Sequence, residues 1–325
     1  MPKLVAAEGR IADRILDDTY LLWNDGLTRP AYGRFYAAQI ATPWGRKHLQ
    51  RFALVDADEV LASAKLYRFD AVQDGRPIQV AGLGAVFTAP AARGRGAARE
   101  LIEQMLERAA ADGADVALLF SEIGPEYYAR LGFELIETTN LQLRVTESTR
   151  RGAPMTMVRG GDDRDLPDIV AQGQTRAAPY RFHLTRDRDL VQFAIARKRL
   201  FAGLSPLGAR AVQFFIAEEG ASAVAYVVIS VHGDAWTIEE MGDRDPSGAR
   251  VGAILQTLIA REPAEKRPSI RAWLPEGFLP PQLTIVGEEP SAEVMMIKSL
   301  NDHARGMHTS PLVPSDVMYW RGDLF

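Results

Sequence analysis

Hydrophobic and polar positions follow two different periods along the chain, and the clearest change of period lies within its first half. A long, mostly apolar run covers residues 79–88, as is typical of a buried strand. After a glycine-rich segment, apolar residues recur at helical spacing over residues 97–112. A short apolar run at residues 116–120 then indicates another buried strand. The pattern therefore predicts a strand, a loop, a helix and a strand in succession.

The same patterns predict the elements on either side of this unit. Amphipathic helices are expected at residues 9–23 and 30–40, and a short helix is expected at residues 126–131 between Pro125 and Gly132. Strands are expected in chain order at residues 52–55, 60–69, 78–88, 116–120, 133–136 and 141–145. The first three strands are joined by short turns, so they predict a meander.

The second half appears in the pattern as a second copy of this plan. Helices are expected at residues 163–172, 188–200 and 249–260, and strands at residues 155–158, 212–217, 224–231, 236–241, 270–274 and 293–297. A polar stretch between the halves predicts a linker at about residues 148–154, with domains at 1–147 and 155–325. The expected fold class is α/β (α+β), with two tandem modules, each a mixed, mainly antiparallel twisted sheet flanked by helices.

Composition narrows the class of protein. The 325 residues include 38 Lys or Arg and 42 Asp or Glu, a formal net charge of −4, which does not suggest nucleic-acid binding. The chain has no cysteine, so a thiolate metal site and a cysteine nucleophile are excluded. No apolar run has the length of a signal-peptide core or a membrane span. We expect a cytoplasmic protein without nucleic-acid or membrane partners, and a homo-oligomer is compatible with this composition.

The glycine-rich segment has the composition of a phosphate-binding loop. It reads Arg93-Gly94-Arg95-Gly96-Ala97-Ala98 and leads into a helix, whose first N–H groups and dipole favour an anion. The glycines allow the backbone to approach the anion closely and to adopt positive φ. The arginines add planar donor groups that suit phosphate oxygens. An ordinary surface turn is the alternative for this segment taken alone.

Two motifs at this spacing resemble the GNAT superfamily of N-acetyltransferases. Arg93-x-x-Gly96-x-Ala98 follows the strand that ends at Thr88, and Tyr128-Ala-Arg-Leu-Gly-Phe133 lies one helix and one strand further on. The resemblance is close over residues 50–137. The chain length also resembles two-module members, which include fungal-type lysine N6-acetyltransferases and the enhanced-intracellular-survival aminoglycoside acetyltransferases.

The resemblance implies a set of site residues. Acetyl-CoA would be the co-substrate, with no metal, and its thioester carbonyl would meet a backbone N–H group of the long strand. Tyr128 would be the general acid that reprotonates the leaving thiolate, with a structural role as the alternative, and its neighbour Tyr127 would be a packing residue. The implied coenzyme-binding residues are Val86, Phe87, Thr88, Arg93, Gly94, Arg95, Gly96, Ala97, Ala98 and Ser121.

The general base is the least determined part of this site. A lysine-like amine has a reference pKa of about 10.4 and must lose a proton before it attacks. Many family members have a Glu on the long strand, but residues 79–88 contain no carboxylate. In the enhanced-intracellular-survival group the C-terminal carboxylate enters the active site, which implies the Phe325 carboxylate as base or amine anchor here. A water chain, Glu122 or a group from the second half are the alternatives.

Other residue patterns have plainer interpretations. Gly82-x-Gly84 lies inside the strand and lacks the third glycine of a dinucleotide fingerprint, so it indicates a bulge or a close backbone approach. Trp23 and Trp44 are candidates either for lining an acceptor pocket or for packing. The five histidines show no metal-ligand spacing on one helix face.

Three carboxylates are weaker candidates for binding a cationic acceptor. They are Asp25, Glu239 and Glu240, and surface solvation is the default interpretation for each. Where the second half should bind phosphate, residues 243–252 contain two carboxylates and Pro246, which lacks an N–H group. The second module is therefore expected to be a degenerate copy that binds no coenzyme and shapes the acceptor pocket.

These expectations define one function and two alternatives. The chain is expected to be an acetyl-CoA-dependent N-acetyltransferase that moves an acetyl group to a primary amine of a small molecule by direct attack in a ternary complex. The acceptor would be a lysine-like metabolite or an amine drug. The alternatives are a non-catalytic acyl-CoA-binding sensor or partner module, and a protein lysine acetyltransferase.

Overall fold

The computed structural model describes residues 2–146, 157–300 and 311–325. The predicted linker at about residues 148–154 lies outside the described residues, as do residues 155 and 156 at the start of the predicted second domain. The N-terminal part contains β1 (Lys3–Ala6), α1 (Gly9–Trp23), α2 (Arg29–Ala41), α3 (Pro43–His48), β2 (Leu49–Asp56), β3 (Glu59–Gln73), β4 (Arg76–Thr88), α4 (Ala97–Ala111), β5 (Val116–Ser121), α5 (Glu126–Ala129), β6 (Glu134–Ile136) and β7 (Thr139–Val145).

The C-terminal part repeats the alternation of helices and strands. It contains β8 (Met157–Gly160), α6 (Leu166–Ala177), β9 (Phe182–Leu184), α7 (Arg188–Leu204), β10 (Arg210–Glu219), β11 (Ser222–His232), β12 (Ala235–Asp243), α8 (Ala249–Ile259), β13 (Ser269–Ala272), β14 (Leu283–Pro290), β15 (Val294–Ser299) and β16 (Val317–Met318).

These elements form two mixed, mainly antiparallel sheets flanked by helices, so the predicted fold class is confirmed. Within the described residues, the first sheet has nine strands and the order β1-β2-β3-β4-β5-β15-β6, with β9 paired to β3 and β16 paired to β9. The second sheet there has seven strands in the order β14-β7-β13-β12-β11-β10-β8. The predicted meander is present as β2, β3 and β4, which pair in antiparallel register.

Two strands belong to the sheet of the other half, and the sequence-based assignment of both was wrong. β7 pairs with β13 and β14 in the second sheet. β15 pairs with β5 and β6 in the first sheet, with Met296 opposite Leu119 and Leu135. Each pattern identified a strand correctly, but hydrophobic periodicity carries no information about the partner strand. The division into domains at 1–147 and 155–325 stays a prediction.

The two faces of the first sheet are covered by different parts of the chain. The apolar side of α4 packs on one face, where Leu101 and Ile102 are fully buried and Met105 is 1% exposed. Burial of each such side chain contributes about 1.5–3 kcal/mol. The last residues of the chain pack on the opposite face and join a core that continues into the second half. The space between β4 and β5 therefore has helix α4 on one side and the C-terminal segment on the other.

Among the described residues, no helix combines the length and the apolar character needed to cross a lipid bilayer.

Candidate active site

Strands β4 and β5 are paired along only part of their length. Their parallel register runs from Val80 opposite Val116 to Leu83 opposite Leu119. Beyond this point β4 continues along β3 as far as Thr88, while β5 continues along β15 as far as Ser121. The two strands therefore diverge after Leu83, and the backbone of β4 from Gly84 onward faces a gap in the sheet instead of a neighbouring strand.

A β-bulge lies at the point where the strands diverge. Lys65 is opposite Gly84 and Ser63 is opposite Phe87, so β4 has one more residue than β3 in this interval. Ala85 lies in the bulge and has φ of 49°, a left-handed conformation that is uncommon for a residue with a side chain. A bulge leaves backbone groups out of the ladder. The bulge confirms the interpretation of Gly82-x-Gly84. It lies in the part of the long strand where the family resemblance implies that a backbone N–H group meets the thioester carbonyl.

The predicted phosphate-binding loop is open to solvent at the mouth of α4. Gly94 has φ of 71°, and Gly96 is the residue before the helix, with φ of 84°. A Cβ atom on either glycine would meet nothing within 4 Å. The side chains of Arg93 and Arg95 are exposed, and Ala97 and Ala98 form the first turn of the helix. The loop thus combines free space, helix N–H groups and positive charge, which suits the diphosphate of a coenzyme.

Two predicted residues lie across the gap on β5 and α5. The Ser121 hydroxyl donates a hydrogen bond of 2.7 Å to the carbonyl oxygen of Gly124, so it fixes the turn that leads into α5. Tyr128 is 7% exposed and packs against the rings of Tyr127 and Phe133 at centroid distances of 5.1 and 6.0 Å. Burial, with the nearby Tyr127, raises the pKa of Tyr128 to about 12. The phenol is therefore protonated at neutral pH and able to donate a proton.

The C-terminal segment is held in place by ion pairs and backbone contacts. Arg186 forms ion pairs with Asp323 at 3.0 Å and with Glu240 at 2.5 Å, and all three side chains are buried. Arg197 on α7 donates hydrogen bonds to the carbonyl oxygens of Gly322, at 3.1 Å, and Leu324. Together these contacts fix the direction in which Phe325 enters the first sheet.

Phe325 lies directly on the face of β4 beside the bulge. Its ring packs against Tyr67 and Phe69 of β3, at centroid distances of 4.7 and 5.2 Å. A Cβ atom on Gly82 would lie 2.6 Å from this ring, and one on Gly84 would lie 3.0 Å from the carboxyl oxygen of Phe325. The two glycines thus make room for the C-terminal residue, and its carboxyl group lies at the edge of the gap.

The loop before α8 contrasts with the loop before α4. The Asp243 carboxylate accepts hydrogen bonds from the N–H groups of Arg250, at 2.7 Å, and Val251, at 3.0 Å. A side chain of the protein therefore occupies the helix N-terminus where an external anion would bind. A Cβ atom on Gly248 would lie 2.9 Å from the ring of Phe278, so this loop is also covered.

A group of cations and tyrosines lies on the same side of β3 as Phe325, and the sequence analysis missed it. Lys65 donates hydrogen bonds to Tyr67 Oη at 3.3 Å and Gln39 Oε1 at 3.5 Å. The Tyr36 ring lies against both Lys65 Nζ, at 4.3 Å, and the Arg51 guanidinium, at 4.4 Å. Burial, together with the charges of Arg51 and Arg197, lowers the pKa of Lys65 well below its ordinary value. The sequence signal that could have identified this group was a lysine among the apolar residues of a buried strand.

The remaining candidates separate into packing residues and ion pairs. Trp44 is buried and lies 4.6 Å from the Phe193 ring, so it is a packing residue, whereas Trp23 is half-buried and meets the Phe87 ring edge-on at 6.3 Å. The interpretation of Glu239 and Glu240 as solvated surface residues was wrong. Both are buried, and they form ion pairs with Lys198 and Arg186, respectively. The other two carboxylates are exposed: Asp25, which pairs with Arg210, and Glu122, on the turn after β5.

The described residues contain no group of three or more His, Cys, Asp or Glu side chains arranged to hold a metal ion.

Comparison with known proteins agrees with this arrangement. Residues 24–136 match the model of the acetyltransferase (GNAT) domain. The fold is similar to that of a GCN5-related N-acetyltransferase from Kribbella flavida, with a TM-score of 0.70, 19% identity, and 94% of this chain and 72% of that chain covered. It is also similar to a GCN5-related N-acetyltransferase from Anabaena variabilis, with a TM-score of 0.70, 13% identity, and 94% and 74% of the two chains covered.

A third similar structure is Eis1 from Mycobacterium abscessus, with a TM-score of 0.57, 15% identity, and coverage of 94% of this chain and 74% of that chain. No curated protein matches the sequence. At these identities the structural likeness shows the fold. The domain match covers residues 24–136, and this part of the chain is an acetyltransferase (GNAT) domain.

Proposed function

We propose that the chain transfers an acetyl group from acetyl-CoA to a primary amine of a small molecule, in a ternary complex formed at the gap between β4 and β5. The observation that carries this proposal is the divergence of the two strands beside an open loop at the mouth of α4. The diphosphate would bind the loop of Arg93–Ala98, and the pantetheine arm would lie along β4. The thioester would then reach the bulge at Ala85 from the α4 side of the sheet.

The acceptor amine would approach from the opposite face, where Phe325 lies. Its attack forms a bond from nitrogen to the thioester carbonyl carbon and breaks the bond from that carbon to sulfur. The Phe325 carboxylate would bind the protonated amine and pass one proton to solvent, which leaves the nitrogen neutral for attack. Tyr128 would give its proton to the leaving sulfur, and the second proton that the nitrogen loses as the amide forms would restore the phenol. A thiol has a reference pKa of about 8.5, well below that of Tyr128, so the return of this proton to Tyr128 is favourable.

The second module would contribute to the acceptor side without binding coenzyme. The Asp243 carboxylate at the N-terminus of α8 would repel a phosphate and already bonds the N–H groups that a phosphate would need. We therefore expect one molecule of acetyl-CoA to bind per chain. Isothermal titration calorimetry gives this stoichiometry directly, and a value of two per chain would contradict the proposed role of the second module.

Replacement of the two exposed loop arginines tests the coenzyme site. The double variant Arg93→Met with Arg95→Met is expected to raise the Kd for acetyl-CoA by about 150-fold, since hydrogen bonds to charged groups contribute about 1.5–3 kcal/mol each and the lower value applies to exposed side chains. The melting temperature should not change, because both side chains are exposed. The matched control is Arg14→Met, an exposed arginine of α1 paired with Asp18. Equal affinity in the double variant and the control would argue against the loop as the diphosphate site.

Removal of the Tyr128 hydroxyl tests the proposed acid. Tyr128→Phe is expected to lower kcat by about 10²-fold while leaving the Kd for acetyl-CoA nearly unchanged, since general acid catalysis contributes about 10²–10⁴-fold. Stopped-flow detection of free thiol measures the chemical step. Tyr127→Phe is the matched control, because it removes a neighbouring hydroxyl from the same helix. Full activity of Tyr128→Phe would show that this tyrosine is a packing residue.

The alternative of a non-catalytic acyl-CoA-binding module predicts a different result. It requires tight binding of acetyl-CoA with no thiol release on any amine tested. The proposed enzyme requires amine-dependent release of one thiol per acetylated product. Mass spectrometry of the products also separates small-molecule amines from lysine side chains of proteins as acceptors.

A further inference from the structure

The acceptor side of the first sheet contains three cations without a paired carboxylate among the described residues. They are Arg51, Lys65 and Arg197, and we call them the cation cluster. Arg51 and Lys65 are 9% and 8% exposed. The hydrogen-bond partners of Lys65 and Arg197 are neutral: an amide oxygen, a phenol and two backbone carbonyl oxygens. Burying a charge in this way raises the free energy of the folded state unless an opposite charge compensates it.

One atom of the cluster indicates where the missing negative charge belongs. Arg51 Nη2 is buried and has no hydrogen-bond partner among the described residues. Arg51 is directly opposite Lys65 in the β2–β3 ladder, and the Arg51 guanidinium and Lys65 Nζ both lie against the Tyr36 ring. A guanidinium donor next to an ammonium group is the combination that binds a carboxylate or phosphate in proteins.

The two buried glutamates nearby are paired with other cations. Glu239 and Glu240 are neutralised by Lys198 and Arg186. The Phe325 carboxyl group lies over Gly84, which is directly opposite Lys65 in the β3–β4 ladder. Within the described residues it forms no ion pair with the cation cluster. The face therefore presents a carboxyl group and, beside it, cations that remain without a counter-charge.

We propose that the acceptor is a zwitterion of the amino-acid type, whose carboxylate binds Arg51 and Lys65 while its amine is directed to the Phe325 carboxyl group. This inference rests on the proposed acetyl transfer for its acceptor amine, and it adds the requirement for an anionic group on the same molecule. Within the cluster, Arg197 holds the C-terminal segment and adds positive charge without binding the ligand. Burial and the charges of Arg51 and Arg197 lower the pKa of Lys65 in the free protein. A bound anion would restore its protonated form, so Lys65 becomes a full cation when the ligand binds.

Matched pairs of amines test this requirement independently of turnover. The probes are L-phenylalanine with phenethylamine, L-tryptophan with tryptamine and L-lysine with cadaverine, which differ within each pair only by the carboxylate. In calorimetric titrations we expect at least one acid to bind about 30-fold more tightly than its decarboxylated partner, the lower end of the effect of one buried charge pair. Its binding enthalpy should depend on the buffer, since Lys65 would take up a proton on binding.

Two variants show whether the preference comes from the cation cluster. Arg51→Met and Lys65→Met should each abolish the difference between acid and amine. Without ligand, Arg51→Met should keep or raise the melting temperature, because it removes an uncompensated buried charge. A purely structural arginine would lower it. Arg68→Met is the control, since Arg68 lies on β3 like Lys65 but pairs with Asp112 at the surface.

The outcomes separate this inference from the proposed function. If every decarboxylated amine binds as well as its acid, or if no acid binds, the cation cluster does not recognise the acceptor. Acetylation of such amines would still support the enzyme. If the acids bind selectively but no thiol is released with acetyl-CoA present, the anion site stands and the proposed transfer fails.

Discussion

Extending the chain by two alanines after Phe325 is expected to lower kcat by about 10²-fold or more, the contribution of a positioned general base. The extension converts the terminal carboxylate into a neutral amide, and it places new atoms in the gap next to Gly84. The Kd for acetyl-CoA should remain within about twofold, because the loop of Arg93–Ala98 lies on the other side of the sheet. Single-turnover thiol release and calorimetry measure the two quantities separately.

Two controls distinguish loss of the carboxylate from loss of the docked segment. Phe325→Leu keeps a terminal carboxylate and a similar apolar volume, so its kcat should stay within about tenfold of the wild type. The melting temperature of the extended chain should fall little, since Arg186 and Arg197 still hold the residues before Phe325. An unchanged rate in the extended chain would remove Phe325 from the mechanism and leave a water chain or Glu122 as the base.

Arg186→Met is expected to lower the free energy of unfolding by about 3–5 kcal/mol, since it leaves two buried carboxylates without a counter-charge. Burial alone would lower the pKa of Arg186, but the carboxylates of Asp323 and Glu240 raise it above its usual value. This arginine therefore joins the C-terminal segment to β12 through a single side chain. Urea unfolding at neutral pH measures the loss, and Arg68→Met, at an exposed ion pair, should change stability little.

The same variant should show a characteristic dependence on pH. Burial raises the pKa of Glu240 in the wild type, and the nearby Arg186 partly offsets this effect. Without the arginine the pKa rises further, so the folded state binds more protons than the unfolded state above the ordinary pKa of the carboxyl group. Stability of the variant should therefore increase as pH falls from about 8 to about 5. A loss that does not vary with pH would indicate damage to packing instead of unpaired charge.

The sequence was sufficient for those parts of the site that are local in the chain. The turn glycines, the helix after them and the tyrosine motif are fixed by neighbours within a few residues, so their spacing identified α4, α5 and the loop between β4 and α4. Phe325 was proposed from a family resemblance, and its position over Gly84 depends on contacts with residues far away in the chain. The catalytic role of the Phe325 carboxylate stays a prediction until the extended chain is assayed.

Features that depend on distant partners were not predictable in this way. The pattern of β15 marks a strand, but nothing within Val294–Ser299 specifies that it pairs with β5. Asp243 was recognised as an unfavourable charge, yet its role as a partner for the N–H groups of α8 depends on the loop conformation. The cation cluster was missed because Arg51 and Lys65 lie on different strands and become neighbours only when β2 pairs with β3.

The insertion of β15 between β5 and β6 has a consequence for synthesis of the chain on the ribosome. The hydrogen-bonding edge of β5 stays exposed until Ser299 has emerged, although the rest of its sheet is translated far earlier. An exposed apolar edge of this kind is a site of aggregation. Chains that end before β15 should therefore be insoluble. The two halves should be soluble when expressed separately only if β15 is joined to the first half and β7 to the second.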